Sequence, residues 1–430
     1  MNNRAILLRF AFLLLLIGSG VMAGCGPLVP TSPSPTSPGG HPTSGSTVHP
    51  SAPPAPRTPT PRLSLTPALS ASPTPPRLDL AGTCYLHFPP KTKYDEREYP
   101  YRGNLYQVDP NTGQMSLLLT GDVQDFTMSP DGDQIAYVLY GTAKNQILLR
   151  NLADGKDTVL FDGQNRILQP TWSPDGHELA FTQYTNELDW WRSGEVWVVS
   201  INTQSTRKMA DGFDPVWSPD SQELAYATRP RTGSCEYNGL AVVDRSGKNR
   251  QIVFDTDPQM WAAAQHINAA PKYGKTLLVY SPSWSPDGGY ILFGLNAKPE
   301  GLYRIRLDSG EILELKLADM GIWGQFVRGP DRVVALDSGK QGWITLYLLV
   351  VTSQGEVDKS TLSQNGDIVT SFTLSPDGQH VAFVSTNQEW SRLTFSVYDL
   401  QAGKELLRQE LFGDVGGPHL APRGLEWAPQ

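Results

Sequence analysis

One short phrase, Trp172-Ser173-Pro174-Asp175-Gly176, recurs along the chain and narrows its possible folds more than any other feature. Copies stand at Met128–Gly132, Trp217–Ser221, Trp284–Gly288 and Leu374–Gly378, with a degenerate one at Val327–Arg332. Each is followed by an apolar stretch: Ile135-Ala136-Tyr137, Leu179-Ala180-Phe181, Leu224-Ala225-Tyr226, Ile291-Leu292-Phe293, Val333-Val334-Ala335 and Val381-Ala382-Phe383. The phrase reads as a tight turn between two strands. Pro presets φ near about −65°, Asp can accept a bond from the backbone two residues on, and Gly takes a positive φ that a side chain resists. Ser221 and Arg332 replace that glycine, so those two turns are expected to be strained or differently closed.

The spacing identifies the unit. Ser129 to Ser173 is 44 positions, Ser173 to Ser218 is 45, Ser285 to Gly329 is 44 and Gly329 to Ser375 is 46. A repeat of this length built from short strands points to an all-β chain, a β-propeller of four-stranded blades. Third strands recur at Gln146–Leu149, Glu195–Val199, Leu240–Asp244 and Leu302–Ile305, followed by hairpin turns such as Asp154-Gly155, Ser246-Gly247, Ser309-Gly310 and Ala402-Gly403. Upstream of the first full repeat, Thr83–Leu86, Asn104–Val108 and Met115–Leu119 read as second, third and fourth strands without a first. The missing strand stands at the other end, where Gly424-Leu425-Glu426-Trp427-Ala428-Pro429 reproduces the start of the motif. A blade built from both ends closes the ring and leaves no open sheet edge. This count gives seven blades, with six as the alternative if the degenerate repeat is absorbed elsewhere.

The repeats, over roughly residues 81–430, resemble the TolB-like β-propeller repeats, also called PD40 or WD40-like repeats. Propellers of that family occur in periplasmic scaffold proteins, in peptidases ahead of a hydrolase domain and in polysaccharide lyases, so the resemblance implies a fold and no single activity. TolB proper carries an α/β domain before its propeller, where this chain has a Pro-rich stretch. The propeller peptidases continue into a hydrolase domain, and this sequence stops with its propeller.

The N-terminus forms a separate unit. Arg4 and Arg9 precede the apolar run Phe10–Ile17, and Val21-Met22-Ala23-Gly24-Cys25 resembles the lipobox of bacterial lipoprotein signal peptides. A membrane-spanning helix needs about 20 apolar residues, more than this run supplies before Gly18-Ser19-Gly20. Residues 1–24 are therefore expected to be a cleaved signal peptide and Cys25 a lipidated (palmitate-bearing) residue. At about 0.8 kcal/mol per buried CH₂, more than one acyl chain anchors a protein stably. Residues 25–80 are expected to be a disordered linker, because Gly26 to about Arg77 is nearly all Pro, Ser, Thr, Ala and Gly. Such a spacer extends at about 3.1 Å per residue, which puts the propeller (residues 81–430) outside the cytoplasm on a tether in the cell envelope. In that oxidising setting Cys84 and Cys235 are expected to be two inert thiols rather than a disulfide, with Cys84 in the strand position of Ala136, Ala180 and Ala225.

The turns lie on one face of such a propeller, so the longer, irregular loops lie on the other. That loop face gathers Tyr94, Arg97 and Tyr101 in the composite blade, Trp190, Trp191 and Arg192 in the second repeat, Arg229, Arg231 and Tyr237 in the third, and Trp390 in the sixth. Ser218 to Ser285 is 67 positions, well over the period, and a short helix around Trp261 and His266 is expected inside that insertion. Exposed aromatics flanked by charge suit an interface or a sugar-binding groove, and packing of the loops on the blade tops is the alternative. The net charge of −8, without any basic run, argues against nucleic acid.

No Gly-x-Ser-x-Gly, His-Glu-x-x-His, Cys-x-x-Cys or Gly-x-x-x-x-Gly-Lys occurs. His177 and His380 follow the turns and are expected at the surface, whereas His87 and His266 are placed to reach the loop face. The recurring Asp131, Asp175, Asp220, Asp287 and Asp377 belong to their turns rather than to a metal site. The sequence thus reads as a monomeric, lipid-anchored binding or scaffolding module for a protein, peptide or glycan, with no cofactor, metal or catalytic residue. The alternative is a propeller lyase or hydrolase of the cell envelope using His266, Arg229 and Tyr237.

Overall fold

The computed structural model describes residues 78–88, 102–141, 144–186, 190–231, 236–257, 270–271, 276–298, 301–315, 317, 321–338, 344–352, 355–389, 391–413 and 424–429. The expected signal peptide, Cys25 and nearly all of the linker lie outside the described residues, as does Cys235.

The described residues form seven four-stranded blades. Two long strands, Met115–Met128 and Thr206–Trp217, each serve as the outer strand of one blade and the first strand of the next. They fuse four blades into two seven-stranded sheets, and three separate four-stranded sheets complete the set. The first blade combines Leu425–Ala428, Thr83–Phe88, Gly103–Val108 and the start of Met115–Met128. The second continues through Gln134–Tyr140, Asn145–Asn151 and Asp157–Gly163, and the third through Arg166–Trp172, Glu178–Tyr184, Gly194–Ser200 and the start of Thr206–Trp217. The fourth adds Glu223–Thr228, Gly239–Asp244 and Gln251–Asp255. Val279–Trp284, Tyr290–Leu295, Gly301–Arg306 and Ile312–Glu314 make the fifth. The sixth runs from Gly321–Phe326 to Val357–Thr361, and the seventh from Ile368–Leu374 to Lys404–Gly413.

The closure expected from Trp427 is present. Leu425–Ala428 pairs antiparallel with Thr83–Phe88, with Cys84 opposite Trp427 and Leu86 opposite Leu425. Beyond those pairs, His87 N–H donates to Gly424 O at 2.8 Å, and Trp427 Nε1–H donates to Ala81 O at 2.9 Å. The end of the chain also reaches the next blade, where Glu426 Oε2 accepts Met128 N–H at 2.6 Å.

Alternation along the strands sends one row of side chains to each flanking blade, so the core is a set of layers between blades. Tyr85, Leu105, Val123, Phe126 and Ile135 fill the layer between the first and second blades, and Ala180, Val196, Trp217 and Tyr226 that between the third and fourth. The largest cluster spans the sixth, seventh and first blades, with Trp323 against Phe372 at a centroid distance of 4.5 Å. The motif tryptophans are each buried in the layer beside their own blade, and two tie adjacent first strands: Trp172 Nε1–H donates to Thr127 O and Trp284 Nε1–H to Val216 O.

The turns follow the expected chemistry and add a part for the serine. In each of the five regular copies the Ser Oγ–H donates to the Asp Oδ1, as between Ser173 and Asp175 at 2.6 Å. The same Oγ accepts the N–H that opens the next strand, Glu178 in this copy, and Asp175 Oδ1 accepts His177 N–H. These bonds hold Asp131 and Asp220 below the usual carboxylate range. Ser221 adopts the left-handed φ of +64° expected of a residue in the glycine position and keeps the closing bond to Ser218 O.

Two registers differ from the sequence expectation. Val327 N–H donates to Arg332 O as Ser129 N–H does to Gln134 O, so Val327, and not Gly329, is the counterpart of the motif serine. Pro330 then stands in the glycine position without an N–H to close the turn, Arg328 takes a φ of +57°, and Arg332 begins the second strand opposite Val350. Cys84, facing Trp427, fills the position of Leu179 opposite Trp172 and of Leu224 opposite Trp217, one residue away from the alanine position expected. It is a buried free thiol, and burial pushes its pKa up.

Candidate functional site

Each second strand runs from its turn to the opposite face, ending at Tyr140, Tyr184, Thr228, Leu295, Ser338 and Thr386. The loops that leave Tyr184, Thr228 and Thr386 carry Trp190, Trp191, Arg192, Arg229, Arg231, Tyr237 and Trp390, while Tyr94, Arg97 and Tyr101 follow Phe88 in sequence and Trp261 and His266 follow Asp255. Tyr94, Arg97, Tyr101, Trp261, His266 and Trp390 lie outside the described residues, as does the helix expected around Trp261. Trp190, Trp191 and Arg192 form a short helix, Trp190–Ser193, immediately before the third strand of the third blade. Its last residue anchors it: Ser193 Oγ–H donates to Asn186 O and Ser193 O accepts Thr185 N–H.

The insertion after the fourth blade is stitched to loops on two blades. Thr276–Leu277 pairs in parallel with Glu236–Tyr237, which leads into the fourth blade's third strand, and Ala270–Pro271 pairs antiparallel with Ala297–Lys298 of the fifth. Asn238, fully buried, acts as a strand in miniature, accepting Val279 N–H at 2.7 Å and donating to Val279 O at 3.1 Å. Tyr237 therefore sits on a segment fixed from both sides.

Arg229 and Arg231 are held by acids. Arg229 donates to Gly194 O at 3.1 Å and lies 3.2 Å from Asp211 Oδ1. Lys208 bridges Asp211 and Glu195 at 2.7 Å each, and holds the Asp211 carboxyl below its usual range. Arg231 donates to Asp255 Oδ1 at 2.6 Å, and that carboxylate raises the guanidinium pKa further. Arg102 adds a cation over an aromatic ring on the same face, its guanidinium 3.9 Å from the Tyr140 centroid. His87 is corrected: its strand ends at this face, but the ring turns into the layer between blades and is buried. His177 is exposed as expected, while His380 is half-buried.

A feature the sequence reading missed lies on the first strands. Gln169, Asp214 and Ser281 have φ of +57°, +55° and +49°. Each precedes a proline and stands three residues before its motif tryptophan, at a break in strand register. Asp125 is the second blade's equivalent. Side chains link these positions from blade to blade: Asp125 Oδ2 accepts Gln169 N–H at 2.8 Å, Gln169 Oε1 accepts Asp214 N–H at 3.2 Å, and Asp214 Oδ2 accepts Ser281 N–H at 2.8 Å. Gln169 Oε1 also accepts from Thr182 Oγ1 and Tyr184 Oη. The recurring X-Pro-x-Trp was the available signal. Side-chain acceptors that satisfy the neighbouring blade's bulge explain why non-glycine residues tolerate this conformation.

On the turn face the comparable arrangement is ionic. Arg245 reaches Asp175 and Glu178, its Nε 2.8 Å from Glu178 Oε2, and Arg207 binds the same buried Glu178 through both carboxylate oxygens at 2.6 and 3.0 Å. Burial opposes ionisation of Asp175, but Arg245, Ser173 and His177 N–H hold its carboxyl at about 2. This network joins the third blade to the fourth. Among the described residues no group of three His, Cys, Asp or Glu side chains is placed to hold a metal ion.

No protein-family model matches the sequence, and no curated protein matches it. Solved structures do. TolB from Acinetobacter baumannii is 16% identical over 81% of this chain and 67% of its own, with a TM-score of 0.47. The β-propeller domain of the Trilobed protease from Pyrococcus furiosus is 12% identical over 77% of this chain and 98% of its own, with a TM-score of 0.51. A puromycin hydrolase is also 12% identical over 77% of this chain but only 53% of its own, with a TM-score of 0.54. At such identities the likeness is one of fold alone, a β-propeller. The Pyrococcus domain is described as having an open velcro topology, whereas here a C-terminal strand pairs with the N-terminal blade.

Proposed function

We propose that this chain is a lipid-anchored, extracytoplasmic binding or scaffolding module whose loop face takes a protein, peptide or glycan. The observation that carries the reading is the division of labour between the faces. On the turn face the recurring aspartates are bound into their own turns, while the loop face carries both an insertion stitched to two blades and the Trp190–Ser193 helix. A fixed rim with adjacent tryptophans and paired charges suits an interface better than a reaction centre. The anchor rests on the Val21–Cys25 motif and the spacer that follows. The lyase or hydrolase reading loses support at Arg229, whose guanidinium is engaged by Asp211 and the Gly194 carbonyl.

The test uses the full chain expressed in a bacterium. An alkyne-palmitate label and partition into detergent are expected for the native chain and lost in Cys25→Ala. Cross-linking in the envelope, and binding to arrayed peptidoglycan fragments and polysaccharides, then compare Trp190→Ala/Trp191→Ala with the turn-face variant His177→Ala. A central tryptophan at an interface carries about 2 kcal/mol, roughly 30-fold in affinity. Equal binding by all variants would refute a loop-face site, and turnover of an arrayed polymer would favour the enzyme.

A further inference from the structure

We infer that the ring carries an acid-sensitive latch: His87 fastens the seam between the two ends of the chain, and its protonation releases the closing strand. The seam is short, because Leu425–Ala428 meets Thr83–Phe88 through only the pairs from Thr83 to Leu86. His87 extends it on both sides. Its backbone N–H donates to Gly424 O at 2.8 Å, where the closing strand enters, and its ring Nε2 lies 2.9 Å from Val123 O in the second blade. Val123 is where the long strand passes from one blade to the next, pairing with Gly103 on one side and Leu139 on the other. One residue thus ties together three parts, its backbone holding the closing strand to its own blade and its ring holding the neighbouring blade.

Alternation places His87 on the same sheet face as Tyr85, and Leu105 is its cross-strand partner. Tyr85, Leu105 and Val123 belong to the apolar layer between the first and second blades. The bond to Val123 O requires Nε2–H, so the neutral ring fits with Nδ1 bare. A second proton would place an N–H and a full charge in that layer. Among the described residues the other titratable groups on the elements packed there are engaged, Tyr137 of the same layer bonding Asp157. Glu426 Oε2 accepts Met128 N–H, Asp125 accepts Phe126 N–H and Gln169 N–H, and Asp122 pairs with Arg102 at 4.0 Å. Tyr85, whose own pKa burial raises, offers no negative charge in the acid range.

Burial lowers the His87 pKa from 6.5 to about 4, against a smaller opposing effect of the Val123 bond. The closed seam therefore disfavours the proton that an open seam accepts. Opening grows as pH falls below about 6.5 and levels off near 4, by up to tenfold per pH unit and about 300-fold in all.

Hydrogen exchange read by mass spectrometry on the full chain tests this. After correction for intrinsic rates, peptides covering residues 83–88 and 424–429 are expected to open increasingly between pH 6.5 and 4. Peptides covering Glu223–Thr228 in the fourth blade serve as the internal control and are expected to stay protected. His87→Gln and His87→Phe are expected to flatten the dependence. A seam whose opening is independent of pH, or equally pH-dependent in a folded variant, would overturn the inference. Should neither variant fold, NMR titration of the histidine rings in the native chain decides, because a His87 ring titrating near 6.5 in the closed protein would refute it.

Discussion

The glycines of the repeated turn allow the closure to be probed with one methyl group. Gly132 and Gly176 occupy the same place in successive turns and have nearly the same φ, +79° and +72°. An added Cβ at Gly176 meets nothing within 4 Å, whereas at Gly132 it would lie 2.5 Å from Pro429 O. Gly176→Ala therefore measures the backbone alone: about 1–2 kcal/mol of left-handed strain, less about 0.4–1 kcal/mol from the stiffer unfolded chain. Gly132→Ala carries the same net cost of about 1 kcal/mol and must also move a backbone carbonyl, an overpacking of about 1–3 kcal/mol. The carbonyl belongs to the residue that directly follows the closing strand, so the molecule can yield by lifting that strand. Urea unfolding of the two variants beside the native chain is expected to place Gly132→Ala about 1–3 kcal/mol below Gly176→Ala. Faster exchange in residues 424–429 should accompany the Gly132 change alone. Equal midpoints for the two variants would mean that Pro429 does not rest against the second blade's turn.

Deleting Leu425–Gln430 exposes the edge of Thr83–Phe88 and strips Trp427 from its layer, so a melting temperature several degrees lower is expected by calorimetry; an unchanged one would refute closure by this strand. Gln169→Ala removes an acceptor used by Thr182, Tyr184 and Asp214 N–H, for an expected loss of about 2–3 kcal/mol in urea unfolding, and Gln169→Gly should lose less by relieving the positive φ. Asp175 is held at about 2 against an ordinary 3.8, so its contribution is present above the ordinary value and is lost as pH falls from about 4 toward 2. Asp175→Asn should weaken that part of the acid-unfolding curve monitored by circular dichroism. Arg245→Ala, which also deprives buried Glu178 of one partner, is expected to cost about 2 kcal/mol at neutral pH.

The fold was legible because the same solution is written repeatedly. A turn that needs Ser, Pro, Asp and Gly in order leaves a mark that survives Ser221 in the glycine position, and a strand missing at one end can be sought at the other. The misplacements have one cause, reading position from letters where hydrogen bonds decide it. Pro330-Asp331 matches the motif's Pro-Asp and so puts Gly329 in the serine's place, yet Val327 makes the serine's backbone bond, and Cys84 stands beside the alanines by its small size alone. The inner bulges went unread although Gln169-Pro170, Asp214-Pro215 and Ser281-Pro282 were visible, because a proline before a strand's end suggests a break in pairing and gives no hint that a neighbouring blade repairs it. Of the loop face, the sequence named Arg229 and Arg231 but could not show their acids, which come from another strand or another blade: Asp211 precedes the fourth blade's first strand, and Asp255 ends its last.

Repetition itself limits where a function can lie. A residue that returns with the same bonds in copy after copy, as the motif Ser and Asp do in the five regular turns, is committed to building the blade, because freeing it would cost each copy its turn. Binding chemistry must then use residues that break the period. In the described chain the largest departures are the insertion tied down by Asn238, the Trp190–Ser193 helix and the seam that His87 spans, and all of them meet the ends of second or third strands away from the turns. The stiffness differs along the inner strands as well, since the chain from Asp125 through Gln169 and Asp214 to Ser281 clamps the second to fifth blades while the first is completed by a four-residue strand. A ligand on the loop face near the clamped blades would meet a preorganised surface. One that also touches the first blade would feel the state of the seam, so its affinity should fall with pH in step with exchange of the closing strand.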